Sequence, residues 1–140
     1  GREARVAVVL QGFPSPLGAE GDADYDYPWY VDYVISEAAT ILSGEGLDSS
    51  SVYTGGLHIY TTLDVNVQNA MEAAYADDSN FPNSSTGDIV ESGMVIIDPQ
   101  RGQIKGLMGG RVYETRRGFN RGTDLVRSPG STIKPVVSYG

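Results

Sequence analysis

Apolar positions along the chain change period several times, and each change predicts an element. From Tyr27 onward Tyr30, Val31, Val34, Ile35, Ala38, Ile41 and Leu42 recur at i, i+3, i+4 and i+7, the stripe of an amphipathic helix. Pro28 suits the first turn of that helix, where a missing N–H leaves nothing unsatisfied, and Gly44 and Gly46 end it. A polar loop over 43–51 follows. Gly55-Gly56 then opens the run Leu57-His58-Ile59-Tyr60-Thr61-Thr62-Leu63, whose alternation of β-branched and aromatic residues predicts a strand with His58 facing outward. Asp64 is an N-cap for a second helix carrying Val67, Ala70, Met71, Ala74 and Tyr75 on its apolar face, and Asp77 to Asn80 stop it. Residues 79–88 read as an exposed loop.

The clearest unit is a hairpin. Residues 92–97 predict a strand buried on both faces or nearly so, Asp98-Pro99-Gln100-Arg101-Gly102 a turn with Gly where φ is positive, and 103–108 the returning strand. Residues 110–130, with five glycines and prolines and five arginines, are irregular. At the other end, 11–28 have linker chemistry, extended and rich in Gly, Pro and Asp. Residues 3–10 read either as a helix tail or as a short strand. The fold class is α+β: an N-terminal linker, helix, strand, helix, antiparallel hairpin and the start of a further helix.

Composition narrows the class. With 40% hydrophobic and 20% charged residues in 140, the chain is a globular domain or part of one. Its longest aliphatic run, Val6 to Leu10, is too short to cross a bilayer, and no signal peptide precedes it, so any membrane anchor is expected outside this chain. No cysteine is present, and one histidine gives no His-based metal cluster. The net charge of −8 hides an asymmetry: two arginines against 15 acidic residues over 1–91, eight Lys/Arg against three acidic residues over 92–140. Nucleic acid is not expected as a partner, since the acidic chain repels phosphates. The basic third either meets a small anion or neutralises the acidic part.

Ser128-Pro129-Gly130-Ser131-Thr132-Ile133-Lys134-Pro135 is where chemistry enters. Pro-Gly turns the chain and Ser131 can start a helix, on which positions i and i+3 share a face. Lys134 then lies beside the Ser131 hydroxyl. A lysine can serve as base for a serine nucleophile if burial or neighbouring charge lowers its pKa, and a helix N-terminus favours a developing oxyanion. A bare Ser-x-x-Lys is weak, for a helix start with a surface lysine has the same spelling.

Its surroundings give it weight. The blocks Tyr30-Val31-Asp32-Tyr33-Val34, Tyr53 to Asp64, Gln68-Asn69-Ala70, Ile96-Ile97-Asp98-Pro99, Gly109-Gly110-Arg111, Phe119-Asn120-Arg121 and Pro129 to Pro135 stand in the order of the class A penicillin-binding proteins, which the chain resembles from about 27 to 140. These are bifunctional peptidoglycan glycosyltransferase/D,D-transpeptidases of the bacterial cell wall. The resemblance implies that Ser131 is the nucleophile acylated by D-Ala–D-Ala stem peptides or β-lactams, that Lys134 takes its proton, and that the Ser131 N–H is half of the oxyanion hole. It implies a linker or tail of a preceding domain over 1–26, a junction over 27–91, and the first part of a transpeptidase domain over 92–140. It places the parent at the extracytoplasmic face of the cytoplasmic membrane. No cofactor or metal is called for, since acyl transfer through a serine ester needs none.

Departures from the family pattern set the remaining expectations. No Ser-x-Asn element or Lys-Thr/Ser-Gly strand follows Lys134, and no acidic glycosyltransferase motif lies in 1–26, so the chain alone is expected to be inactive. A second reading is a non-catalytic module that docks other cell-wall synthesis proteins through Trp29, Tyr30 and Tyr33. Against it stands the plainer use of those rings, a helix face packed on 57–63. A β-lactamase-related fragment explains Ser131 and Lys134 but not the block at 55–64.

Overall fold

The computed structural model describes residues 26–138; the 1–26 linker expectation, apart from Asp26, lies outside the described residues. Helices α1 (Pro28–Gly44), α2 (Ser51–Thr54) and α3 (Val65–Ala76) precede strands β1 (Met94–Asp98) and β2 (Gln103–Met108), and α4 (Lys134–Ser138) follows. Single 3₁₀ turns occupy Asp78–Asn80 and Gly130–Ile133. The α+β class stands as expected, with the two long helices, the hairpin and the further helix in the expected order.

α1 is the spine of the structure. Pro28 occupies its first turn, and its end is a Schellman closure: Leu47 N–H donates to the Leu42 carbonyl at 2.9 Å and Gly46 N–H to Ser43 at 3.1 Å. Gly46 takes the left-handed φ of 76° that this closure requires. The buried face of α1 serves three clusters in succession. Trp29 packs with Met71, Tyr75 and Met108, and Tyr30 and Val34 pack with Ile104 and Leu107. Ile35, Ala38 and Leu42 pack with Val52 of α2, a short helix that the polar sequence around it had concealed. Trp29 and Tyr30 are thus core residues rather than exposed anchors.

α3 starts where Asp64 caps it, its Oδ1 accepting from Asn66 N–H at 3.0 Å and Val67 N–H at 3.3 Å, a contribution of about 1 kcal/mol. Its buried stripe is Gln68, Met71 and Tyr75; Ala70 and Ala74, expected on that face, are exposed. The helix lies close on β2 because Gly106 carries no side chain: a Cβ there would stand 2.5 Å from Met71 Sδ.

Two strand expectations are corrected. Residues 57–63 form no strand, only an isolated bridge at Leu57. They run beside β2, tied by Thr62 Oγ1 to the Ile104 carbonyl at 2.7 Å and by Asp64 N–H to the Lys105 carbonyl at 2.9 Å. Side-chain bonds have taken the place of a third strand's peptide groups, and His58 is half-buried rather than outward. In the hairpin, β1 and β2 pair antiparallel from Met94↔Met108 to Asp98↔Gln103, with a bulge between Ile96 and Ile97. Gly102 closes the turn at φ 69°, its N–H donating to Asp98. β2 is the buried strand; β1, expected to be buried, exposes Met94, Ile96 and Ile97. An apolar run reports that a strand is suited to burial, not that the described residues cover it.

Candidate functional site

Ser131 and Lys134 stand at the far end of the described chain, and the backbone there is built by two residues before the serine. Pro129 holds a helical φ of −67° and Gly130 a left-handed φ of 54°, which a side chain would strain. The Gly130–Ile133 turn follows, with Thr132 N–H and Oγ1 both donating to the Pro129 carbonyl. Lys134 N–H donates to the Ser131 carbonyl, closing the turn on which residues i and i+3 eclipse one another. Ser131 and Lys134 thus share one face. Ser131 lies inside the 3₁₀ turn rather than capping an α-helix, which begins only at Lys134, and Pro135 sits in its first turn as expected.

Both side chains are exposed. Neither is hydrogen-bonded to another side chain among the described residues, so the burial that a lysine base requires is not furnished there. They line neither of the two clefts described below.

One cleft, of about 490 Å³, lies between α1 and the 117–124 turn, lined in part by Trp29, Asp32, Glu37, Arg117, Asn120 and Asp124. Tyr33 is on its wall, and burial, with Glu37 beside it, pushes its hydroxyl pKa above the ordinary value of a tyrosine. Buried Asp32 accepts at Oδ2 from Tyr113 O–H and from Arg117 N–H, both at 2.6 Å. Asn120, also buried, accepts at Oδ1 from Gly122 N–H at 2.9 Å and closes its own turn. A smaller cleft of about 380 Å³ lies between α3 and Met94, beside the Tyr75–Ser92 hydroxyl pair.

Part of the basic stretch is paired within the fold. Arg111 pairs with Asp78 and lies over the Phe81 ring, and Arg121 stands 3.7 Å from Glu91. Arg117 lies over Tyr53, 4.7 Å from its ring centroid. Of the two sequence readings of this charge, internal neutralisation is the one these pairs support. Asp32, Gln68 and Asn120 escaped notice as individual buried polar groups, because their partners are brought by the fold or lie in irregular turns. Among the described residues no group of three acidic or histidine side chains could hold a metal, and no helix is long and apolar enough to cross a membrane.

No family model matches the chain. Its similarity to individual proteins is extensive. It is 39% identical over 120 residues to penicillin-binding protein 2a of Streptococcus pneumoniae, covering 84% of this chain and 16% of that protein. To penicillin-binding protein 1F of Bacillus subtilis it is 35% identical over 140 residues, 98% of this chain and 18% of that protein. To penicillin-binding protein 1A/1B of Bacillus subtilis it is 31% identical over 137 residues, 97% of this chain and 14% of that protein. The chain therefore spans less than a fifth of the length of these relatives. At these identities over most of its own length, the chain belongs to the penicillin-binding protein family.

Proposed function

We propose that this chain is part of a class A penicillin-binding protein, in which it joins the junction region, 27–91, to the first part of a serine D,D-transpeptidase domain, 92–140, after a linker over 1–26. Ser131 is the nucleophile. Its Oγ attacks the carbonyl of the D-Ala–D-Ala amide, its proton passes to Lys134, and the terminal D-Ala leaves protonated as the serine ester forms. An amine of a second stem peptide then takes the acyl group and frees Ser131. A β-lactam follows the first step only, with its ring amide opened. The parent works at the extracytoplasmic face of the cytoplasmic membrane, where its peptidoglycan substrate lies.

The observation that carries this reading is the shared face of Ser131 and Lys134 behind the left-handed Gly130, within a chain of which 98% aligns to penicillin-binding protein 1F. The exposure of both residues supports a further point, that these 140 residues by themselves are idle. A fluorescent penicillin tests both. The complete protein is labelled at Ser131 and its Ser131→Ala variant is not, while the 140-residue chain takes no label. Failure to label Ser131 in the complete protein removes the nucleophile assignment; stoichiometric labelling of the short chain removes its inactivity.

A further inference from the structure

We propose that Asp32 is a positioning residue, which fixes the turn over 113–118 and with it the course of the chain that presents Ser131. The inference rests on reading Ser131 as the nucleophile. Asp32 sits on α1 among Trp29, Tyr30, Val34 and Ile35, all buried and none in need of an acid beside it. A buried carboxylate is costly unless its hydrogen bonds are made, so a neutral residue would serve the packing of α1 better. Its Oδ2 is directed at two donors of one distant loop, the hydroxyl of Tyr113 and the backbone N–H of Arg117.

That loop needs holding. Arg117 is a non-glycine residue at φ 54°, a conformation that persists only where its surroundings impose it. Three contacts do so: Asp32 on its N–H, the Tyr53 ring under its guanidinium, and the Gly118 N–H to Thr115 carbonyl bond at 3.1 Å. Two of the three come from the 27–91 stretch. The next turn is fixed in its place by Arg121 N–H to the Gly109 carbonyl at 2.9 Å. Beyond it, residues 123–135 are exposed, so these turns are the last buried anchorage of the described chain before Ser131. Asp32 therefore influences the placement of the nucleophile without touching substrate.

The test uses the complete protein and a fluorescent penicillin, read as non-covalent affinity and acylation rate constant separately, beside the melting temperature. Asp32→Ala removes both bonds, and Tyr113→Phe removes one hydroxyl from a ring that keeps its edge contact with Trp29. Both variants are expected to acylate roughly ten- to a hundredfold more slowly with affinity unchanged, since small misplacements of a reacting group cost rate. The melting temperature falls with Asp32→Ala, which takes the acceptor from Arg117 N–H, and changes little with Tyr113→Phe. Asp32→Asn, which keeps an acceptor oxygen, restores part of the rate. If Asp32→Ala does not fold, Tyr113→Phe decides. Folded variants that acylate at the parent rate overturn the role of Asp32 and leave Ser131 in place. A loss confined to affinity or melting temperature overturns it equally. An unsubstituted protein that takes no label at Ser131 overturns this inference together with the reading beneath it.

Discussion

The side-chain amide of Gln68 pairs with both backbone groups of Leu107: its Oε1 accepts from the N–H at 2.9 Å and its Nε2 donates to the carbonyl at 3.1 Å. A fully buried side chain thereby does the work of a neighbouring strand's peptide group along β2, whose other edge is paired with β1. Farther along the same strand the carbonyl of Ile104 takes the hydroxyls of Tyr30 and Thr62, and that of Lys105 takes Asp64 N–H. An edge that would otherwise offer unpaired groups is closed by side chains and a helix start.

Replacing Gln68 by leucine keeps the volume and leaves the Leu107 N–H and carbonyl buried without these partners. The expected loss is about 2–4 kcal/mol in urea unfolding of the chain. Gln68→Glu gives a sharper readout. An ionised carboxylate can accept from Leu107 N–H but repels its carbonyl, so burial there raises the folded pKa of the new acid. Its protonated form is the stabilised one: stability is present below the unfolded pKa and lost as pH rises through the folded one. The deficit relative to the parent should therefore shrink on acidification; a deficit that grows would refute the pairing.

Gly109 and Gly44 should respond oppositely to alanine. A Cβ on Gly109 would stand 2.5 Å from Trp29 Cε3 and 2.7 Å from Asn120 Cγ, both in buried residues. Gly109→Ala is expected to cost about 1–3 kcal/mol by overpacking. At Gly44, the last residue of α1, the added methyl meets nothing within 4 Å. Gly44→Ala should be neutral or stabilise by up to about 1 kcal/mol, through the lost freedom of the unfolded chain. Equal melting temperatures for the two variants would contradict the close approach of Trp29 to the strand end.

Asp98 gives the hairpin turn a pH dependence. The N–H of Gln100 holds its carboxyl below the ordinary aspartate value, burial works against this, and Arg101 adds a smaller lowering. A depressed folded pKa means that the contribution is present above the unfolded value, about 3.9, and is lost as pH falls through the folded one. An NMR titration of the Asp98 carboxyl should show its midpoint below that of a free aspartate. Asp98→Asn keeps an acceptor for Gln100 and should remove this part of the acid sensitivity. A midpoint at or above the free value would show that the turn does not hold the carboxylate.

Local chemistry made much of this fold legible. Pro28, Asp64 and Gly102 each act through their immediate neighbours, and the structure uses each as its residue type predicts. What sequence periodicity misjudged was set by partners far along the chain. Gln68 looks like a polar interruption of the α3 stripe until Leu107, 39 positions away, is placed against it. The run 57–63 has the alternation of a strand, yet it meets β2 through its own Thr62 hydroxyl, beside Tyr30 and Gln68, which bond the same edge. Asp32 stood inside a family block with nothing local to mark it, because its partners lie 81 and 85 positions away. Ser131 and Lys134 were legible as a pair at i, i+3, whereas their exposure here was not, since it depends on what surrounds them in space.

Lys134→Arg separates the two things that a cation beside Ser131 can do. Both residues carry a positive charge on a long stem, so a purely electrostatic role would survive the exchange in large part. A guanidinium does not give up its proton in proteins, so it cannot take one from the Ser131 hydroxyl. If Lys134 is the base, Lys134→Arg in the complete protein should lower the penicillin acylation rate constant by about 10²–10⁴, the usual worth of a positioned base. Non-covalent affinity should change far less. Lys134→Ala should be no slower than Lys134→Arg, because both lack the proton acceptor. Should Lys134→Arg instead acylate near the parent rate while Lys134→Ala does not, the charge is what matters. The proton of Ser131 would then leave by another route.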